Sequence, residues 1–187
     1  MSACLMSTGP DRGPVAVVGA GLIGRAWAIV FARAGHSVRL HDADAGTMAS
    51  SLAYIKERLD ELAGFELLDD APELVLARIH CVPDLAEALR DVVMVQENIR
   101  ETVEAKTAIF AQLDALAPPD AVLASSTSWL PASTFTAGLA GRARCLVGHP
   151  TNPPYLVPLL NCVRPRGPTR ARWRGRTPCT PARVRRR

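Results

Sequence analysis

The chain has 187 residues, of which 48% are hydrophobic and 21% charged, a composition typical of a globular protein with one sizeable core. Its formal net charge of +4 suggests nucleic-acid binding, but the positive charge is concentrated at the C-terminal end. Residues 164–187 hold ten Arg and no acidic residue. Residues 1–163 hold 12 Lys and Arg against 18 Asp and Glu, a net charge of −6. No stretch reaches the roughly 18 apolar residues of a membrane span, no signal-peptide core is visible, and the five Cys lack metal-ligand spacing. We therefore expect a cytoplasmic protein with no metal site and no membrane partner, and the acidic domain argues against nucleic acid.

The first predicted elements form a βαβ unit. A buried strand, Val15–Val18, leads into three spaced glycines and then into an apolar helix, Leu22–Ala34. Gly35 and His36 end that helix, and a second strand, Ser37–Leu40, follows. This order of strand, glycine-rich turn, helix and strand is typical of a dinucleotide-binding domain.

The glycine-rich turn predicts a site for a pyrophosphate. Gly19 allows the tight turn, Gly21 lets the backbone approach the phosphates, and Gly24 lets the helix pack closely on the strand. The N–H groups at the start of the helix, around Leu22 and Ile23, would then face the anion. Asp42 lies 23 residues after Gly19, where a carboxylate would bind a ribose 2′-hydroxyl and repel the 2′-phosphate of NADP. The predicted cofactor is NAD. The simpler interpretation, a βαβ unit that needs small residues at its turn, leaves this acidic residue as coincidence.

Strands and helices continue to alternate along the chain, which predicts a doubly wound parallel α/β sheet of the Rossmann type. The predicted elements after the second strand are a helix at 43–63, a helix at 72–77, a strand at 78–82, a helix at 84–89, a strand at 92–96, a helix at 101–116, a strand at 122–125, a helical turn at 131–138 and a last strand at 145–148. The ligand of such a sheet lies across the carboxyl ends of the strands.

Three polar clusters follow predicted strands and could face this ligand. They are Gln96–Asn98 with Glu101 and Lys106, then Ser125–Ser128, and finally His149 with Asn152. A histidine there suits the removal of a hydroxyl proton, because its ordinary pKa lies near neutral pH, and a serine hydroxyl can hold the same substrate oxygen. Alone, the serines are also typical of a helix cap, and Glu101 with Lys106 of a solvated helix face.

Four segments together resemble the 3-hydroxyacyl-CoA dehydrogenase superfamily, and within it the lambda-crystallin branch that includes L-gulonate 3-dehydrogenase. They are VAVVGAGLIGRAWA (15–28), QENIRETVEAKTAIFAQLD (96–114), LASSTSWLPAS (123–133) and GHPTNPPYLVPL (148–159). The resemblance covers about residues 14–160. It implies an NAD-binding domain followed by an all-helical domain that dimerises and completes the substrate site.

The resemblance also implies roles for individual residues. Asp42 resembles the ligand of the adenosine ribose, and Glu101 and Lys106 resemble the pair near the nicotinamide end of the cofactor. Ser128 resembles the serine that holds the substrate oxygen, and His149 the catalytic base. We expect Asn152 to contact the substrate as well.

The substrate implied by the resemblance is a small molecule. The HPTNPPY segment and Ser126, which stands where acyl-CoA enzymes usually carry Asn, favour a small hydroxy acid such as L-gulonate over a 3-hydroxyacyl-CoA. Carnitine-type dehydrogenases stay open as a further alternative. A non-catalytic NAD-binding or structural protein, as in the crystallins, is the alternative from another class.

The chain departs from the family after its catalytic motif. The family pairs its histidine with a glutamate twelve residues later, but the residue twelve after His149 is Asn161. Beyond it, an Arg/Pro-rich segment stands where the dimerising helical domain is expected, and its composition is typical of GC-rich codons read out of frame. We expect a disrupted or truncated reading frame, with disordered residues 1–13, an NAD-binding domain at 14–160 and a disordered tail at 161–187. Impaired catalysis follows from this expectation.

Overall fold

The computed structural model describes residues 13–163. The disorder predicted for residues 1–12 and 164–187 lies outside the described residues. Within the described range no helix is long and apolar enough to cross a membrane.

The predicted βαβ unit is confirmed as strand β1 (Val15–Val18), helix α1 (Leu22–Arg33) and strand β2 (Val38–His41). The later elements are α2 (Ala45–Gly64), α3 (Pro72–Leu76), β3 (Ile79–Cys81), α4 (Leu85–Ala88), β4 (Met94–Glu97), α5 (Val103–Leu116), β5 (Val122–Ser125), α6 (Ala132–Thr136), a 3-10 turn (Arg142–Arg144), β6 (Cys145–Pro150) and β7 (Leu160–Val163).

Two helices begin two residues later than the apolar pattern predicts, because a capping side chain sets each start. Asp44 precedes α2 and accepts hydrogen bonds from the N–H groups of Gly46 and Thr47. Thr102 precedes α5 and accepts from Ala105 N–H. Such caps satisfy N–H groups that have no partner inside the helix. Glu101 therefore lies in the loop before α5.

The strands form one sheet in the order β3-β2-β1-β4-β5-β6-β7. All neighbours from β3 to β6 pair in parallel, which confirms the Rossmann-type doubly wound sheet. The chain builds outward from β1 to β3 and then returns to place β4 on the other side of β1. The carboxyl ends of β1 and β4 thus form the topological switch point, where open α/β sheets bind their ligands.

Strand β7 corrects the predicted tail. Residues 161–163 were expected to be disordered, but Asn161, Cys162 and Val163 belong to β7, which pairs antiparallel with β6. The prediction was wrong here because β7 has little apolar periodicity of its own, and its residues 161–163 are exposed. Its backbone is held by pairing with β6, and sequence patterning alone does not indicate this pairing.

Apolar cores lie on both faces of the sheet. One core includes Val17, Leu40 and Ile55 and lies under α1, α2 and α3. The other includes Val18, Val95 and Phe110 and lies under α4, α5 and α6. With both faces covered, the strands read as continuous apolar runs, and the polar residues that follow them are left at the carboxyl edge.

Candidate cofactor and catalytic site

Two of the three glycines leave no room for a side chain. A Cβ on Gly19 would lie 2.8 Å from the backbone carbonyl carbon of Asn98, and the residue has a φ of +91°. A Cβ on Gly24 would lie 1.7 Å from the carbonyl oxygen of Gly19. These two positions hold β1, the loop after β4 and the first turn of α1 in contact. Gly21 differs, because no atom lies within 4 Å of its ideal Cβ position.

The open space beside Gly21 belongs to a cleft of about 500 Å³, which we call the cofactor cleft. Its lining consists of Gly19, Gly21, Asp42, Thr47, Asn98, Ile99, Arg100 and Ala105. No side chain caps the N-terminus of α1, and its first turn contains no acidic residue. Since unpaired N–H groups at a helix N-terminus attract anions, the cleft fits the pyrophosphate of a dinucleotide. Leu22 is exposed at this end, and Ile23 packs partly against the core.

Asp42 lies in the cofactor cleft directly after β2. One carboxylate oxygen accepts a hydrogen bond from Ala20 N–H at 2.8 Å, and the other accepts from Asp44 N–H at 3.0 Å. Each oxygen keeps a lone pair for a further donor. The residue therefore braces the glycine-rich turn while it remains able to bind the ribose hydroxyls of the predicted cofactor.

Ser126 is the centre of a hydrogen-bond network that the sequence did not predict. Its hydroxyl accepts from Trp27 Nε1 at 3.0 Å and from Gln96 Nε2 at 2.7 Å, and it donates to Asn98 Oδ1 at 2.7 Å. Asn98 lines the cofactor cleft, so the network ties α1 and β5 to one cleft wall. The hydroxyl has no capacity left for a substrate. No sequence signal could have indicated this network, since Trp27 and Ser126 are 99 residues apart.

Glu101 holds the loop that carries Ser128. Its Oε1 atom accepts hydrogen bonds from the Thr127 hydroxyl and from the backbone N–H groups of Ser128 and Trp129, at 2.5 to 3.2 Å. Partial desolvation raises the pKa of Glu101. These hydrogen bonds and the charge of Lys106 lower it by more than that, so the net pKa lies below its ordinary value. The carboxylate is thus the form that the loop requires.

The pattern around Lys106, taken alone, suggested a solvated helix face, but the structure shows that this lysine is not solvated. Its side chain is buried and forms an ion pair with Glu97, with distances of 2.7 and 2.8 Å from Nζ to the two carboxylate oxygens. The third ammonium N–H donates to the carbonyl of Ile99 at 3.2 Å. The structure therefore pairs Lys106 with Glu97 rather than with Glu101. The sequence placed Glu97 in the polar cluster after the strand, and no local pattern pairs it with a residue nine positions later.

Ser128 and His149 lie at the same edge of the sheet. Ser125 is in register with Val147; Ser128 follows Ser125 by three residues in the loop after β5, and His149 follows Val147 by two residues within β6. Ser128 is exposed, and His149 is half-buried near the end of β6. Asn152 is also exposed, in the loop after β6. The roles of these three residues remain predictions.

Asn161 lies directly across from His149 in the antiparallel pair of β6 and β7. Directly opposed residues of such a pair project to the same face, with Cβ atoms about 4.5–5.5 Å apart. The position twelve residues after the histidine is therefore its immediate neighbour in space. An amide there can form a hydrogen bond but carries no charge.

The fold and the cofactor cleft define a dinucleotide-binding Rossmann domain. Comparison with known proteins shows a match of residues 14–171 to the 3-hydroxyacyl-CoA dehydrogenase, NAD binding domain family. The chain belongs to this family, and its cofactor is NAD.

The curated relatives include proteins of several names. The chain is 43% identical to the lambda-crystallin homolog of Bos taurus over 81% of its length and 48% of that protein. It is 36% identical to the L-carnitine dehydrogenase of Nocardiopsis dassonvillei over 85% of its length and 47% of that protein. The chain spans about half the length of the curated relatives it matches.

Solved structures show the same fold. The 3-hydroxybutyryl-CoA dehydrogenase of Escherichia coli is 30% identical, with a TM-score of 0.76 over 80% of this chain and 32% of that chain. The M. tuberculosis protein FadB2 is 32% identical, with a TM-score of 0.77 over 81% of this chain and 54% of that chain.

Proposed function

We propose that this chain supplies the cofactor half of an NAD-dependent dehydrogenase that oxidises the 3-hydroxyl of a small hydroxy acid or of a 3-hydroxyacyl-CoA. The observation that carries the proposal is a shared sheet edge. The glycine-rich turn follows β1, the Ser128 loop follows β5, and His149 lies near the carboxyl end of β6, so all three lie at the carboxyl edge of the parallel strands. A bound cofactor and a substrate hydroxyl would meet there.

His149 would act as the general base. Its imidazole would remove the proton of the substrate hydroxyl while the carbon that carries this hydroxyl loses hydride, and Ser128 Oγ would orient the same oxygen. When bound, NAD supplies the hydride acceptor. Glu101 would keep Ser128 in place, because it accepts the backbone N–H of that residue.

The substrate class is supported by the relatives, whose names include lambda-crystallin, 3-hydroxyacyl-CoA dehydrogenase and L-carnitine dehydrogenase. Two of these three names denote dehydrogenases, one of 3-hydroxyacyl-CoA and one of L-carnitine. The greater identity to the lambda-crystallin homologs favours a small hydroxy acid such as L-gulonate, as the HPTNPPY segment also does.

Asn161 favours a second candidate, a protein that binds NAD without turnover. A carboxylate opposite the histidine would orient the imidazole and stabilise its protonated form, and Asn161 cannot supply that charge. In the serine-protease triad, replacing the corresponding carboxylate by an amide lowers kcat by about 10⁴. We therefore propose that the chain binds NAD well and oxidises substrate weakly.

The test is NADH production with L-gulonate, L-carnitine and 3-hydroxybutyryl-CoA, beside a fluorescence titration with NADH. The informative variants are His149→Ala and Asn161→Glu, since Asn161 is exposed and its substitution leaves the core unchanged. We expect Asn161→Glu to raise turnover by at least 10-fold, with an upper bound set by the roughly 10²–10⁴ that general acid–base assistance contributes, and His149→Ala to abolish turnover.

The outcomes separate the two candidates. Turnover of one substrate class that depends on His149 supports the dehydrogenase. Tight NADH binding with no turnover of any substrate, in the wild type and in Asn161→Glu alike, supports the non-catalytic protein.

A further inference from the structure

A buried ion pair lies behind the wall of the cofactor cleft. Glu97 is the last residue of β4 and Lys106 lies in the first turns of α5, and their side chains are 0% and 2% exposed. Taking two charges out of water is costly, and a well-packed apolar pair of similar size is often as stable. Burial of this pair therefore calls for a reason other than the stability of the fold.

The polar atoms of the pair form hydrogen bonds with both the backbone N–H and the backbone carbonyl of one residue, Ile99. Glu97 Oε1 accepts the N–H of Ile99 at 2.6 Å, and Lys106 Nζ donates to its carbonyl at 3.2 Å. Glu97 Oε2 accepts the hydroxyl of Ser125 at 2.6 Å, which anchors the pair to the neighbouring strand. All three ammonium hydrogens of Lys106 have acceptors within the protein.

Ile99 is part of the cleft wall. Asn98, Ile99 and Arg100 line the cofactor cleft in sequence, directly after β4. A backbone held on both its donor and its acceptor cannot rotate its peptide planes without losing a charge-assisted hydrogen bond. The pair thus fixes the conformation of this wall from behind.

The same loop leads to the candidate catalytic serine. Glu101 follows the held residue by two positions, and it accepts the N–H groups of Ser128 and Trp129. The buried pair is therefore linked to the loop after β5 in three steps: its hydrogen bonds to Ile99, the two residues of backbone from Ile99 to Glu101, and the hydrogen bonds that Glu101 accepts.

We propose that Glu97 and Lys106 are positioning residues that hold the wall of the cofactor cleft and, through Glu101, the loop that carries Ser128. The catalytic meaning of Ser128 rests on the proposed function, whereas the effect on the cleft wall does not.

The experiment removes the pair without leaving a lone buried charge. In the double variant Glu97→Met/Lys106→Met, both side chains keep a similar length but lose their hydrogen bonds. If the wall then adopts its binding geometry only about a tenth of the time, the apparent Kd for NADH rises about tenfold. We also expect faster amide hydrogen exchange at Ser128 and Trp129, measured by NMR, because these amides donate to Glu101, which follows the held residue Ile99 by two positions.

The chain offers a matched control in the ion pair of Asp114 and Arg144, whose side chains are also mostly buried, at 2.9 Å. Asp114 likewise accepts a loop N–H, that of Gly141, but Arg144 and Gly141 lie before the start of β6, away from the cofactor cleft. Asp114→Met/Arg144→Met should lower the melting temperature without changing the Kd for NADH. This control separates positioning from general stability.

NADH affinity within twofold of wild type, with unchanged exchange at Ser128 and Trp129, would overturn the proposal. An equal loss of affinity in Lys106→Met and in the double variant, with none in Glu97→Met, would also overturn it, since Lys106 would then contact the cofactor itself. If the Met pair does not fold, Glu97→Gln replaces it, with a smaller rise in Kd expected and wild-type affinity and exchange as the refuting result. All these readouts omit substrate, so absence of turnover would count against the proposed function alone.

Discussion

Gly21→Ala should separate cofactor binding from fold stability. Gly21 has a φ of −67° and a ψ of −164°, a conformation open to any residue, and no atom lies within 4 Å of its ideal Cβ position. The residue precedes α1, where Ala is less favourable than Gly by roughly 0.5–1 kcal/mol. Ala also lowers the conformational entropy of the unfolded chain, which stabilises the folded protein by about 0.4–1 kcal/mol and offsets this cost. We expect the free energy of unfolding to change by less than about 1 kcal/mol.

The effect on cofactor binding should be larger. The added methyl group would project into the cofactor cleft, where the pyrophosphate approaches the backbone. Forcing one methyl into a close-packed contact costs about 1–3 kcal/mol, which corresponds to a rise in Kd of about 5- to 150-fold.

The assay is a fluorescence titration with NADH beside thermal denaturation of the same preparation. Gly64→Ala is the control, because Gly64 also has no atom within 4 Å of its Cβ position but ends α2, away from the cofactor cleft. The reasoning fails if Gly21→Ala binds NADH as tightly as Gly64→Ala does, or if the melting temperature of Gly21→Ala lies far below that of Gly64→Ala.

Three further outcomes follow from the site. Gly24→Ala should lose both stability and NADH binding, because its Cβ would lie 1.7 Å from a backbone oxygen; a normal melting temperature would contradict this. Asp42→Arg should reverse the preference for NADH over NADPH, and parallel titrations that show an unchanged preference would remove Asp42 from the ribose site. The pKa of Glu101 lies below its ordinary value, so its contribution to loop stability is present above about pH 4.3 and is lost as the pH falls through the folded pKa. NMR titration of the Ser128 and Trp129 amides should show a pH midpoint below the usual range for Glu, and this titration should disappear in Glu101→Gln. A midpoint at or above the usual range would contradict the prediction.

Much of the cofactor half was predictable from local pattern. The three glycines, the apolar strand before them and the acid after β2 all lie within one βαβ unit of the chain, where order and spacing are visible in the sequence. The buried strands were recognisable because both of their faces are covered, so most of their residues form short apolar runs. Helix starts were displaced by two residues, since a cap depends on one side chain rather than on a period.

The partners of the polar residues were not predictable in this way. Lys106 has the pattern of a surface lysine, yet it is buried against Glu97, and Ser126 meets Trp27 from 99 residues away. These contacts exist only because β5 and β4 lie side by side and α1 and α5 cover opposite faces of the sheet.

By itself, the sequence determined that the chain would build a parallel α/β sheet with an NAD-binding turn at its first strand, because backbone propensity and apolar period act over short distances. Only the tertiary structure decided that β7 returns antiparallel to set Asn161 opposite His149, and that a buried pair holds the wall of the cofactor cleft. The physical reason is that strand order and register, which no local period encodes, choose which distant side chains share one buried, low-dielectric space.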